Sequence, residues 1–316
     1  MQEVEISILI PTCGRPEALG ICLNAVAESL SRVADAKCEV VVGNDGPPRD
    51  LEQLPAQIYG VDIVIIQSPR RGPAANRNAL AEHAKGEILV FLDDDCVSKP
   101  DLIPQYVRIS RAEPQVQVFE GKISPDRKAR FAHEECPVNE VGGFLWSANM
   151  AVRRTAFMAL GGFDEDYPYA AMEDVDFRTR AAKAGFTIRW CPEAAVCHPL
   201  EVRLDRKRQL KHRYSVLLFL NKHPYKLESV RTGCSTAAVV RHVKKRIFDR
   251  QWLQPLRAYR ALAGEVYSTF VMHRIVKRPE TISSELAAVR DQLKTTTSPT
   301  SNLNSSLRNQ ADNDVS

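Results

Sequence analysis

The sequence predicts an α/β protein built on a doubly wound, mostly parallel sheet. Three observations point there. Short apolar runs alternate with stretches of helical length through the first hundred residues. The first two runs end in loops of Gly, Pro, Asn and Asp, the composition of turns. The run Ile88–Leu92 carries no polar residue, as a strand covered on both faces requires.

The elements follow in order. Residues 5–10 read as a strand, broken by Pro11-Thr-Cys-Gly-Arg-Pro16. A helix over 17–30 places Leu19, Leu23, Val26 and Leu30 at helical spacing. Residues 38–42 form a second strand, ending in Gly43-Asn-Asp-Gly-Pro-Pro48, and 61–66 a third. Arg70-Arg-Gly-Pro73 then leads into an Ala-rich helix over 74–85. Beyond the fourth strand, 100–111 reads as helix, 116–122 as strand and 124–142 as polar and irregular. A helix opens at Glu173 and runs to Lys183, stopped by Gly185. Two short extended pieces, 187–190 and 194–197, end at His198-Pro199. From Val202 the pattern turns to basic helices, with six Lys or Arg against one Asp between Arg203 and Arg213. From Thr295 the chain is rich in Ser, Thr and Asn and cannot bury a core. The expected organisation is an α/β domain over 1–200, a basic helical region over 201–280, and a largely disordered polar tail over 281–316.

Composition removes several classes. At 316 residues, 44% hydrophobic and 26% charged, the chain has the balance of a soluble globular protein. A net charge of +4 gives no case for nucleic acid. The eight cysteines are scattered without a C-x-x-C pair, which fits buried thiols of a reducing compartment rather than a disulfide framework. No leader pattern and no apolar run of spanning length is found, so the expected location is cytoplasmic.

Directly after the apolar strand stand Asp93, Asp94 and Asp95. In an open α/β sheet, ligands bind outside the carboxyl ends of the strands. Three adjacent acids repel one another there, and a divalent cation offsets that repulsion. The plainer reading is a solvated acidic turn, but one Asp suffices as a helix cap.

The ordered set Ile6-Ser-Ile-Leu-Ile-Pro-Thr12, Asn44-Asp-Gly46, Arg70-Arg-Gly-Pro-Ala-Ala-Asn-Arg-Asn78, Phe91-Leu-Asp-Asp-Asp95, Gly161-Gly-Phe-Asp164 and Glu173-Asp-Val-Asp176 resembles the family 2 glycosyltransferases across residues 5–200. The resemblance implies a GT-A fold, a nucleotide-diphosphate sugar donor, a divalent Mn²⁺ or Mg²⁺ ion, and inversion at the anomeric carbon. It implies that Pro11, Asp45, Arg77, Asp93 and Asp94 line the donor, with Asp45 on the base and Arg77 facing the diphosphate. Asp94, the middle acid, would point away or support the nucleotide. Asp95 would ligate the cation with help from Asp93, and some relatives place a metal-binding His near His198. Asp174 would be the general base and Glu173 would orient the acceptor, although acids also favour any helix's first turn. Trp146 and Asn149 fall in the acceptor segment, where Trp146 could stack on a sugar or pack in the core.

The acceptor itself, whether glycan, lipid-linked or another hydroxyl, is not written in the motifs. Gln209-Leu-Lys-His-Arg-Tyr214 departs from the Q-x-x-R-W of processive relatives, so transfer of a single sugar is expected. The basic stretch over 202–250 reads either as a solvated face or as a peripheral membrane contact. Alternative readings are a sugar nucleotidyltransferase, which needs a better Gly-rich loop than Thr12-Cys-Gly-Arg15, and a non-catalytic binding protein of the same fold. No G-x-G-x-x-G follows any strand, which disfavours a dehydrogenase.

Overall fold

The computed structural model describes residues 3–51, 57–130, 134–202, 205–227 and 278–295. The chain divides into two compact units, one of residues 1–130 and 134–202, the other of 131–133 and 203–316.

The first unit is organised on a nine-stranded sheet. Its strands are β1 (Ile6–Thr12), β2 (Cys38–Asn44), β3 (Gln57–Ile58), β4 (Val61–Gln67), β5 (Ile88–Leu92), β6 (Val97–Ser98), β7 (Val118–Pro125), β9 (Asn149–Arg153) and β10 (Ile188–His198). Their order is β3-β4-β2-β1-β5-β9-β7-β10-β6. A separate two-stranded piece pairs β8 (Glu134–Glu135) with β11 (Glu201–Val202). The run β4-β2-β1-β5 is parallel. Here β9 enters antiparallel to both β5 and β7, and β10 lies parallel to β7. The two reversals restore direction, so β7 and β10 point the same way as β5. Hydrophobic periodicity does not report such pairing, and the sheet is mixed at that end.

Helices cover both faces, as the two-sided apolar strands require. On one face Ile6, Ile8, Ile10, Val40, Val42, Ile88 and Val90 pack with α1 (Pro16–Leu30) and α3 (Leu102–Ala112). On the other, Leu9, Val41, Leu89 and Phe91 pack with α2 (Pro73–His83), α4 (Arg154–Ala159) and α5 (Glu173–Lys183). The two extended pieces expected at 187–190 and 194–197 are one strand, β10. A register shift between Cys191 and Ala195 interrupts it at Pro192, which has no N–H for the ladder.

In the second unit, α6 (Arg206–Lys222) is capped by Asp205, whose carboxylate accepts from the Lys207 and Arg208 backbone N–H groups. It packs against α7 (Ile282–Thr295). That helix corrects the expectation of a polar tail from residue 281. Ile282, Leu286, Val289 and Leu293 recur at helical spacing and are all buried. Across the pair, Arg213 donates to Gln292 and Arg290 to the Tyr214 hydroxyl, each at 3.3 Å. Residues 228–277 and 296–316, which include the second half of the basic stretch and the remaining tail, lie outside the described residues. Among the described residues, no helix is long and apolar enough to cross a membrane.

Candidate active site

One edge of the sheet collects the chemistry. The C-terminal ends of β1, β2, β5 and β10 deliver Thr12, Asp45, the Asp93–Asp95 triplet and His198 to it. The start of β9 brings Ser147 beside them. This is the carboxyl edge at which open α/β sheets bind ligands.

The three acids take three different roles. Asp94 turns inward, fully buried, and accepts from Thr12 Oγ1 at 2.6 Å and from the Arg15 guanidinium. Burial pushes its carboxyl up to about 6 against the pull of Arg15 and Thr12. It therefore points away from the open edge and holds Arg15. Pro11 is likewise buried inside β1, opposite Gly43, and Thr12 is the residue that meets the triplet.

Asp95 also accepts from Arg15, at 2.6 Å through Oδ2. Its Oδ1 is buried without a hydrogen-bond partner and lies 3.4 Å from His198 Nε2. His198 Nδ1 sits 3.0 Å from the Pro199 carbonyl. A proton on Nδ1 satisfies that carbonyl and leaves Nε2 as a lone pair aimed at Asp95. A carboxylate oxygen and an imidazole nitrogen facing each other in this way suit a divalent cation. The residues fit one.

Asp93 faces the other way. Its Oδ1 accepts from Arg77 at 2.7 Å, and the same guanidinium donates to Glu173 Oε1 at 3.0 Å. Arg77 is buried in α2, so both its terminal nitrogens are committed to carboxylates. It is a strut between the triplet and α5. Met172, just before the α5 acids, takes left-handed backbone with φ 71°, a strain concentrated where chemistry is placed. The Asp174 carboxylate accepts from Val175 N–H at 2.8 Å and Ser147 N–H at 3.4 Å. Burial pushes it up to about 6, and pushes Glu173 higher, to about 8, despite Arg77. Asp176 is structural: it pairs with Arg180, which also donates to the Leu160 and Gly162 carbonyls.

Asp45 is held by Ser68 Oγ at 2.6 Å and by Gly72 N–H at 3.2 Å. Gly72 has φ +99°, and a Cβ there would sit 2.4 Å from the Pro168 carbonyl oxygen. Only glycine lets the start of α2 approach so closely.

The segment leading to Ser147 is knotted by a residue the sequence did not single out. Glu120 of β7 is buried and accepts from the backbone N–H groups of Gly143, Phe144 and Leu145 and from Asn139 Nδ2. Three of the residues it restrains or adjoins, Gly142, Gly143 and Leu145, have positive φ. Glu120→Gln removes the charge and half the acceptors, and should cost about 1–3 kcal/mol. Denaturant unfolding measures the loss, and limited proteolysis should cut first between residues 139 and 146.

Two residues expected at the acceptor part ways here. Asn149 is fully buried; its amide donates to the Lys122 and Ala194 carbonyls and accepts from Tyr106 Oη. It ties β9 to its neighbours. Trp146 is half-buried, donates to the Val138 carbonyl and stacks on Phe144, which is 44% exposed.

The model for "Glycosyl transferase family group 2" matches residues 88–276, and that for "Glycosyl transferase family 2" matches residues 7–161. The chain belongs to glycosyl transferase family 2. The glycosyltransferase AglE of Haloferax volcanii is 23% identical over 206 residues, covering 61% of this chain and 66% of that protein. The succinoglycan biosynthesis protein ExoM of Rhizobium meliloti is 27% identical over 212 residues, covering 63% and 68%. This family 2 glycosyltransferase thus spans about two thirds of the length of either relative. Among solved structures, residues 1–349 of S. aureus TarS in complex with UDP superpose with a TM-score of 0.53 at 16% identity, over 87% of this chain and 92% of that one. That likeness fixes the fold as GT-A.

Besides Glu120, sequence reasoning missed Arg15, Cys96 and Ser147. Arg15 carried a usable signal: a cation just before α1, on the edge where three acids gather.

Proposed function

We propose that this transferase is an inverting enzyme that moves a single sugar from a nucleotide-diphosphate donor to an acceptor hydroxyl. The observation that carries the reading is the division of the carboxylates. Asp95 Oδ1, which has no hydrogen-bond partner, and His198 Nε2 face each other at 3.4 Å on one side. Asp174 is held apart by two backbone N–H groups, and Arg77 braces Asp93 to its neighbour Glu173.

In this reading Asp95 and His198 hold Mg²⁺ or Mn²⁺, with Asp93 nearby. When bound, the cation offsets the diphosphate's charge as it leaves. Asp45, fixed by Ser68 and Gly72, faces the nucleotide base. Arg15, about half exposed, adds positive charge beside Asp95. Asp174 takes the proton of the acceptor hydroxyl as its oxygen attacks the anomeric carbon from the face opposite the leaving group. Glu173 helps to position the acceptor, and Phe144 with Trp146 gives it an aromatic wall. A relative named for succinoglycan biosynthesis and a neighbour solved with UDP support a nucleotide-sugar donor and a glycan-type acceptor.

Calorimetric titration of UDP, GDP and dTDP, with Mn²⁺ or with EDTA, tests the donor half. One diphosphate should bind only with the cation, and Asp95→Ala should abolish that binding. Equal affinity in EDTA, or an unchanged Asp95→Ala, would overturn the reading.

A further inference from the structure

No step above uses Cys96. Its sulfur nonetheless belongs to the same cluster, because one donor atom each from Asp95, Cys96 and His198 lie within 4.8 Å of one another. The thiol's hydrogen bond is weak, reaching the Ala148 carbonyl at 3.5 Å. Independently, the Asp95 side chain is only 9% exposed, and its Oδ1, aimed at His198, has no hydrogen-bond partner.

We propose that Asp95, Cys96 and His198 form a mixed oxygen, sulfur and nitrogen site that takes a thiophilic divalent cation such as Zn²⁺, Cd²⁺ or Co²⁺ in the absence of nucleotide. The inference rests on the reading of Asp95 and His198 as cation ligands. Hard cations such as Mg²⁺ prefer oxygen and draw most of their ligands from water and phosphate. A thiolate beside an imidazole shifts the preference toward softer ions. Three protein ligands also fill all but one position of a tetrahedral ion. Such an ion keeps a single open position, which a water fills, and so offers the donor's phosphates fewer sites than a six-coordinate Mg²⁺ does. On binding, the thiol proton passes to the buffer as the sulfur–metal bond forms, with no change of oxidation state. The site then selects against the cation that transfer uses, and a thiophilic ion competes with it.

The test is a Co²⁺ titration of the full chain stripped of metal, read by absorption. A sulfur-to-cobalt charge-transfer band should grow in the near ultraviolet, saturate at one equivalent and be displaced by Zn²⁺. Cys96→Ser should lose the band, and Zn²⁺ affinity should fall at least about tenfold. Cys96→Ala serves if the serine variant does not melt cooperatively. A wild-type chain without the band overturns the proposal, as does a band that survives in both Cys96 variants. Mn²⁺-dependent binding of a nucleoside diphosphate, measured on the same preparation, separates the two readings. If it is present without the band, only the thiophilic site fails. If both are missing, the cation site itself fails.

Discussion

Asp174→Asn is expected to slow sugar transfer by about 10²–10⁴-fold while the protein folds and binds its nucleotide as before. The amide keeps the shape of the carboxylate and can still accept from Val175 N–H through its oxygen, giving up only the longer 3.4 Å bond from Ser147 N–H to the second oxygen. It loses the basicity that removes the acceptor's proton. The pH profile carries the same information. Burial raises the Asp174 carboxyl to about 6, so the side chain is protonated and unable to act below that pH. The rate at saturating donor should therefore rise with pH through about 6 and level off above it. Steady-state rates across that range check the limb, which should disappear from whatever activity Asp174→Asn retains. A rate that falls as pH rises through 6 would remove Asp174 as the base.

Arg77→Met should be the most destabilising single change at the site, by about 3–5 kcal/mol. The arginine is buried, and its two terminal nitrogens reach carboxylates on two different elements. Methionine fills similar volume but strands the Asp93 carboxylate without a counter-charge and leaves Glu173 Oε1 without its donor. Arg77→Lys should recover little, because one ammonium cannot span both carboxylates as the planar fork does. Adding Glu173→Gln to Arg77→Met should restore part of the loss, since a neutral amide is cheaper to bury. Denaturant unfolding of the three variants measures each value. An Arg77→Met chain as stable as wild type would mean that the strut carries no load.

The parallel strands were readable because burial on both faces leaves an unbroken apolar run, as in Ile88–Leu92. The Asp triplet stood out because acids at a buried strand's end demand a reason. What the sequence concealed is pairing over distance. The ion pairs of Arg77 were hidden because its partners stand 16 and 96 residues away. Asn149 looked like a site residue because a lone polar group in an apolar strand has two physical uses, and here the sheet takes it. Arg15 and Glu120 carry ordinary charges in sequence, and only the fold shows that one faces Asp94 and Asp95 and the other three consecutive backbone N–H groups. In α7, a four-residue apolar stripe was masked by the polar composition around it.

The central claim is a single displacement in which Asp174 activates the attacking oxygen. Once the titration has named the donor, the most direct measurement is the anomeric configuration of the sugar first released or transferred, followed by proton NMR before it equilibrates. The account predicts inversion: an α-linked donor gives a β product. Retained configuration would contradict it, because that outcome requires either a covalent intermediate or attack from the leaving group's own face.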